Sequence, residues 1–361
     1  MDSNPKTKKI LIVCPSFHLG GIERSLSNLA NFFVTQGIDV VFVSLLAGTA
    51  FFKLDQHIKV VSPRFRRNGN LFKLILYRLR LIFFLRKQIK ESKPDVILSL
   101  SDTFNAIAIL ANIRLGIRIF IGDVTKPDRK FKYSTVLAKK YLYPLCTGFV
   151  AQTQQAARYY QQKFNQKLNI RVINGAVKEM KLHPDIVRQQ LIIVVGRLAY
   201  EKGQDRMIDI FERIKEKNGW TLAFTADGPI RSKLEELIVA KELSNQVKLL
   251  GQVDDLDKLY ATASIFAMPS RMEGFPNALC EAMAAGLPCI AFNSFPVDEI
   301  IVDGVDGYIV QDGNIDAFAA ILEQLMNNPK ERQDIGQRAK AISNRLSIET
   351  IGNNFLEFFN S

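Results

Sequence analysis

Histidine and cysteine are scarce in this chain, and each shortage excludes a class of chemistry. Three histidines in 361 residues, none close to another, leave no zinc-ligand spacing, and no metal is expected. The four cysteines, Cys14, Cys146, Cys280 and Cys289, form no C-x-x-C pair, so they read as buried free thiols of a reducing compartment. No run of about 18 uncharged apolar residues exists, which argues against a transmembrane helix. The polar stretch Met1 to Lys9 leads straight into a strand-like run and does not read as a signal peptide. There is no G-x-G-x-x-G, so the fingerprint of a nicotinamide dinucleotide site is missing. No low-complexity tract and no repeat of roughly 20–50 residues is found.

What is present is a soluble-type composition, 47% hydrophobic, with a net charge of +12. The charge is unevenly spread. Residues 1–175 carry 28 Lys and Arg against 9 Asp and Glu, and residues 176–361 carry 20 against 27. A basic first half suits an anionic surface or substrate. It lacks the interleaved aromatics of a stacking platform, so no nucleic-acid partner is expected.

The length favours two domains over one core. Ile10 to Pro15 is a continuous apolar run, the pattern of a parallel strand buried on both faces. Gly20-Gly21 follows, and then Ile22 to Ala30 with helical apolar spacing. Strand, Gly-Gly, helix is the layout of an anion site at a helix N-terminus, although the dipeptide alone is also a plain tight turn. Further strands are expected at Asp39 to Leu46, Ile58 to Ser62, Asp95 to Ser101, Arg118 to Ile121, Gly148 to Thr153 and Ile170 to Ile173. A helix is expected over 104–113, and 176–190 reads as a linker. A second series starts at Leu191 and runs through Trp220 to Thr225, Val247 to Leu250, Ile265 to Met268, Pro288 to Phe292 and Gly307 to Val310. Helices fill 203–217, 231–241, 254–263, 277–285 and 314–327, and the tail beyond 330 is helical in pattern. Two alternating strand–helix series imply an α/β chain of two Rossmann-like doubly wound domains.

Leu71 to Lys90 reads as a basic amphipathic helix. Helical spacing puts Lys73, Arg80, Arg86, Lys87 and Lys90 on one side. It puts Leu71, Leu74, Ile75, Leu79, Ile82, Phe83 and Leu85 over much of the rest. Such a helix either rests on an anionic bilayer or packs on the sheet with a solvated basic face. Arg64, Arg66 and Arg67 beside it favour the bilayer.

Two stretches carry the chemistry. Gly196-Arg-Leu-Ala-Tyr-Glu-Lys202-Gly203 places two cations just beyond a strand, and two fixed cations can stabilise a departing diphosphate without a metal, the alternative being a surface pair near Glu201. Ser270 to Glu281 places Glu273 and Glu281 eight positions apart around Gly274-Phe275-Pro276. Carboxylates accept hydrogen bonds from vicinal hydroxyls, so one can hold a sugar and the other a ribose. Paired carboxylates also serve glycoside hydrolysis, but a hydrolase has no need of the Arg–Lys pair. Asn277 to Ala285 begins a small-residue helix whose N-terminus adds donors for an anion. Asp123, at the end of the Arg118 strand, either points into a ligand crevice or serves as a helix cap or turn.

In combination these motifs resemble the family 4 glycosyltransferases of GT-B fold. The likeness runs through Gly20-Gly21, Arg197 and Lys202, Asp227-Gly228-Pro229, Glu273 and Glu281, and Glu299 to Gly307. It is similar above all to bacterial members that build lipid-linked oligosaccharides, capsule and O-antigen repeats, the GalNAc transferases of Campylobacter-type N-glycan assembly among them. The resemblance implies two domains facing each other across a cleft. The acceptor-side domain would span 1–175, with a helix at about 344–361 packing back on it. The nucleotide-sugar domain would span 176–343.

It further implies metal-independent, retaining transfer from a UDP-sugar, a UDP-HexNAc or UDP-hexose, with GDP-mannose as the alternative donor. The acceptor would be a polyprenyl-diphosphate-linked glycan at the inner face of the plasma membrane, where the enzyme would sit as a peripheral cytoplasmic protein. A non-catalytic nucleotide-sugar-binding partner is the competing class. On this resemblance Arg197 and Lys202 hold the diphosphate, and Gly20 and Gly21 approach it from the other domain. Glu281 binds ribose, and Glu273 with the backbone of Gly274, Phe275, Pro276, Asn277 and Ala278 holds the sugar. Many members carry a His in the loop after the fifth strand, where this chain has Val124. Asp123 is therefore expected to take over part of the acceptor or sugar contact, unless the site is arranged differently.

Overall fold

A computed structural model describes residues 7–16, 21–48, 52–65, 71–127, 133–181, 183 and 185–361. The chain divides into two compact units, Met1–Ala176 with Ile348–Ser361, and Val177–Ser347.

The first unit runs β1 (Lys9–Cys14), α1 (Gly21–Thr35), β2 (Asp39–Ser44), β3 (Lys59–Val61), α2 (Leu71–Ser92), β4 (Val96–Ser99), α3 (Asn105–Asn112), β5 (Arg118–Asp123), α4 (Tyr133–Leu142), β6 (Gly148–Ala151), α5 (Gln154–Lys163) and β7 (Ile170–Val172). Its sheet has the order β3-β2-β1-β4-β5-β6-β7, with every pair parallel. Apolar runs such as Ile10–Cys14 form these strands because both faces of the sheet are covered by helices, so most side chains along the central strands are apolar.

The second unit runs β8 (Leu191–Val194), α6 (Gln204–Arg213), β9 (Thr221–Phe224), α7 (Arg231–Ala240), β10 (Val247–Leu249), α8 (Leu256–Thr262), β11 (Ile265–Met268), α9 (Asn277–Ala284), β12 (Cys289–Phe292), β13 (Tyr308–Val310), α10 (Ile315–Asn327), α11 (Pro329–Ala339) and α12 (Ile342–Arg345). Its sheet is also parallel, in the order β10-β9-β8-β11-β12-β13.

The last helix, α13 (Ile348–Asn360), belongs to the first unit. Phe358 and Phe359 each lie 4.9 Å from Phe120 between ring centroids, and Phe359 also meets Phe33 on α1 at 6.0 Å. Gly352 makes this approach possible, since a Cβ there would stand 2.2 Å from the Phe32 ring.

Helix α2 corrects the face assignment made from spacing. Its buried stripe is Tyr77, Leu81, Leu85, Gln88 and Ile89, whereas Ile75, Leu79 and Phe83 face outward among Arg78, Arg80 and Lys87. Arg86 is not part of a free basic face either. Its guanidinium donates to the carbonyls of Ala111 and Ile113 at the end of α3, at 3.0 and 2.7 Å. Arg66 and Arg67 lie outside the described residues.

Candidate active site

The order of the second sheet reverses between the neighbours β8 and β11. In an open parallel sheet a ligand crevice forms beyond the C-terminal strand ends at such a reversal. The loop leaving β8 contains Gly196–Gly203, and the loop leaving β11 carries Ser270–Pro276 into α9. Both stretches singled out by chemistry thus arrive at one place.

Three loops interlock there through their backbones. Gly203 has φ +68°, and a Cβ on it would come within 2.1 Å of the Pro269 carbonyl oxygen. Both facts demand glycine. A Cβ on Gly228 would stand equally close to the Leu198 carbonyl oxygen, and the Leu198 N–H donates to Asp227 O at 3.1 Å. The Gly196 N–H donates to Thr225 Oγ1 at 3.2 Å.

On this frame Lys202 Nζ donates to both oxygens of Glu273, at 2.8 and 2.9 Å. Ser270 Oγ donates to the same carboxylate at 2.8 Å, and the Glu273 side chain is only 7% exposed. The phosphate cation and the sugar carboxylate expected from sequence are therefore one bonded pair. Arg197 is placed differently. Its guanidinium pairs with Glu201 at 2.9 Å, one turn along, and its side chain is 66% exposed. A hydrogen bond from the backbone N–H of Glu201, with Arg197 and Lys202 adding to it, holds the Glu201 carboxyl below its ordinary range.

Glu281 lies on α9, buried, and accepts from Tyr260 Oη at 3.2 Å. Phe275 and Pro276 are buried under the turn, and Gly274, Asn277 and Ala278 are half-buried, with Asn277 opening α9. An ammonium, a carboxylate and a helix N-terminus meet here, an arrangement that suits a ligand carrying both an anionic group and hydroxyls.

Asp123 requires a correction. Its carboxylate does not point into a crevice: the side chain is fully buried within the first unit. Oδ1 accepts from Tyr143 Oη at 2.7 Å and Asn105 Nδ2 at 3.1 Å, and Oδ2 accepts from Lys139 Nζ at 2.6 Å and Tyr160 Oη at 2.5 Å. Lys139 also bonds Asp102 Oδ1 at 2.9 Å, and Asp102 Oδ2 accepts from Thr125 Oγ1 at 2.8 Å. With four donors seated on two oxygens, the carboxylate is committed to holding the ends of β4 and β5 to α3, α4 and α5. Burial, reinforced by the Asp102 charge, pushes its pKa up to about 6, and Lys139 opposes the rise. Val124 beside it is half-buried. Gly21 is the first residue of α1, while Gly20 lies outside the described residues.

Spacing did not reveal Arg271, Asp205, Lys139 or Asp102. Their bonds span 66 and 37 positions, and the one local hint was a lysine on the inward face of a sheet-packing helix. Burial pushes the Cys14 and Cys146 thiols up to about 12 and raises Cys280 and Cys289 as well, which disfavours the thiolate.

Comparison with known proteins bears on the family and the fold. Residues 19–179 match the model described as Glycosyltransferase Family 4, and residues 179–342 match that of Glycosyl transferases group 1. A Campylobacter jejuni relative, GalNAc-alpha-(1->4)-GalNAc-alpha-(1->3)-diNAcBac-PP-undecaprenol alpha-1,4-N-acetyl-D-galactosaminyltransferase, is 26% identical over 97% of both chains. The amylovoran biosynthesis glycosyltransferase AmsD of Erwinia amylovora is 27% identical over 92% of this chain and 93% of its own. Among solved structures, Anabaena Alr3699/HepE in complex with UDP and glucose superposes with a TM-score of 0.82 at 21% identity. The match covers 97% of this chain and 99% of that one.

Proposed function

Because the chain belongs to the family 4 glycosyltransferases, we propose that it transfers an N-acetylhexosamine or hexose from a UDP-sugar to a lipid-linked glycan, with retention, in bacterial polysaccharide or glycan biosynthesis. The observation that carries this reading is the Lys202–Glu273 pair at the β8/β11 reversal. A nucleotide sugar carries a diphosphate next to a ring of hydroxyls, so its binding lets Lys202 turn to the phosphate while Glu273 accepts from the sugar. Arg197, close by in sequence and solvent-facing, supplies the second cation, and Glu281 the ribose contact. In the transfer the bond from the anomeric carbon to the diphosphate oxygen breaks, and the acceptor oxygen bonds that carbon on the same face. The acceptor's proton passes to the leaving diphosphate, whose charge Lys202 and Arg197 stabilise. The test is a calorimetric screen of UDP, GDP and their sugars, followed by mass spectrometry of lipid-linked acceptors incubated with the donor that binds. Failure of every nucleoside diphosphate to bind refutes the reading.

The acceptor's lipid carrier calls for a membrane contact. Among the described residues no helix is long and apolar enough to cross a membrane. The outward face of α2 supports a peripheral contact instead: Phe83 is 69% exposed beside Leu79 and Ile75, with Arg78, Arg80 and Lys87 around them. Exposed apolar groups rimmed by cations suit the headgroup region of an anionic bilayer.

A further inference from the structure

We infer that Arg271 is a positioning residue for the diphosphate grip, acting through Lys202. The inference rests on the reading of Lys202 as a diphosphate cation. Arg271 joins its loop to the other site loop in three ways and to the helix that follows in a fourth. Its Nη1 and Nη2 donate to Asp205 Oδ1 and Oδ2 at 2.7 and 2.8 Å, a bidentate pair with the first turn of α6. Nη1 also donates to the Tyr200 carbonyl at 2.9 Å. The guanidinium carbon lies 4.3 Å from the Tyr200 ring centroid. Its backbone N–H, followed by that of Met272, donates to the Glu201 carbonyl at 2.9 and 3.2 Å.

Tyr200 and Glu201 are the two residues before Lys202, and Ser270 and Glu273 flank Arg271 in the other loop. Arg271 thus fastens the backbone on both sides of the Lys202–Glu273 contact while its own side chain is 18% exposed. Burial disfavours the Asp205 charge, but the hydrogen bonds and charge of Arg271 outweigh it and hold that carboxyl below its ordinary range. Only a planar guanidinium can meet a carboxylate in fork geometry, a carbonyl and a ring face together, and lysine cannot.

The test is calorimetric titration of the full chain with UDP and with uridine, in wild type, Arg271→Lys, Asp205→Asn, Lys202→Ala and the double variant Arg271→Lys/Lys202→Ala. Arg271→Lys and Asp205→Asn should each weaken UDP roughly tenfold, the share of one misaligned charge-assisted contact, and leave uridine unchanged. In the Lys202→Ala background Arg271→Lys should add no further loss. Unchanged UDP affinity in both single variants overturns the inference. So does a loss that adds in full to that of Lys202→Ala, which would mean that Arg271 meets the anion itself. An equal loss of uridine also overturns it, since uridine has no diphosphate to misplace. If Lys202→Ala alone leaves UDP affinity intact, the diphosphate reading beneath the inference is what fails.

Discussion

Replacing Lys139 by Met tests the buried network in the first unit. The ammonium sits between Asp102 at 2.9 Å and Asp123 at 2.6 Å, and the lysine side chain is 3% exposed. Methionine fills much of the same volume but leaves two buried carboxylates facing each other without a cation. Removing one partner of a buried pair destabilises by about 3–5 kcal/mol, a large share of the stability of a typical domain. The sole tryptophan, Trp220, lies in the second unit, so its fluorescence reports that unit while circular dichroism reports both. In urea at about pH 7.5 the variant should lose the first unit's share of the dichroism transition early, with the fluorescence midpoint unmoved. The pH dependence has a definite sign. Folded Asp123 holds its proton to about pH 6, whereas an unfolded aspartate releases it near 4. The folded chain binds more protons in that window, so this group makes stability fall as pH rises through it. In the variant Lys139 no longer opposes the rise of the Asp123 pKa, so Asp123 takes up its proton more readily in acid and the deficit should shrink by about pH 5. A loss below about 1 kcal/mol at neutral pH, or one that does not shrink in acid, would refute the reasoning.

Gly203→Ala should destabilise the second unit by more than about 1 kcal/mol, because φ is +68° and the new methyl meets the Pro269 carbonyl. Its nucleoside diphosphate affinity should fall with it, measured by thermal shift with and without UDP. Charge reversal at Arg80 and Lys87 should weaken binding to anionic liposomes in sedimentation assays and flatten its salt dependence, and Phe83→Ser should weaken it at every salt concentration. Equal binding of wild type to neutral vesicles would contradict that contact.

The two-sheet architecture was legible because parallel strands buried on both faces must be apolar runs, as in Ile10–Cys14 and Leu191–Val194. Helices α4 and α5 were not read. Gln154–Lys163, for example, holds few apolar residues and is held by a Thr153 side-chain cap and three inward residues. On α2 the spacing misled because Ile75, Leu79 and Phe83 are apolar yet exposed. Within the site, residue types pointed to Lys202 and Glu273, but their mutual bond spans 71 positions and leaves no local pattern. Asp123 was misread for the same reason. A carboxylate at a strand end looks ligand-facing until Lys139, Tyr143 and Tyr160, from two later helical segments, are folded onto it.

The central claim is that Lys202 and Glu273 form one grip on the diphosphate and sugar of a nucleotide sugar. Titration of wild type and Lys202→Ala with UDP and with uridine tests it most directly. The account expects Lys202→Ala to weaken UDP by roughly tenfold or more, the loss of a charge-assisted contact, with uridine bound equally by both proteins. Equal UDP affinity in the two proteins would contradict it.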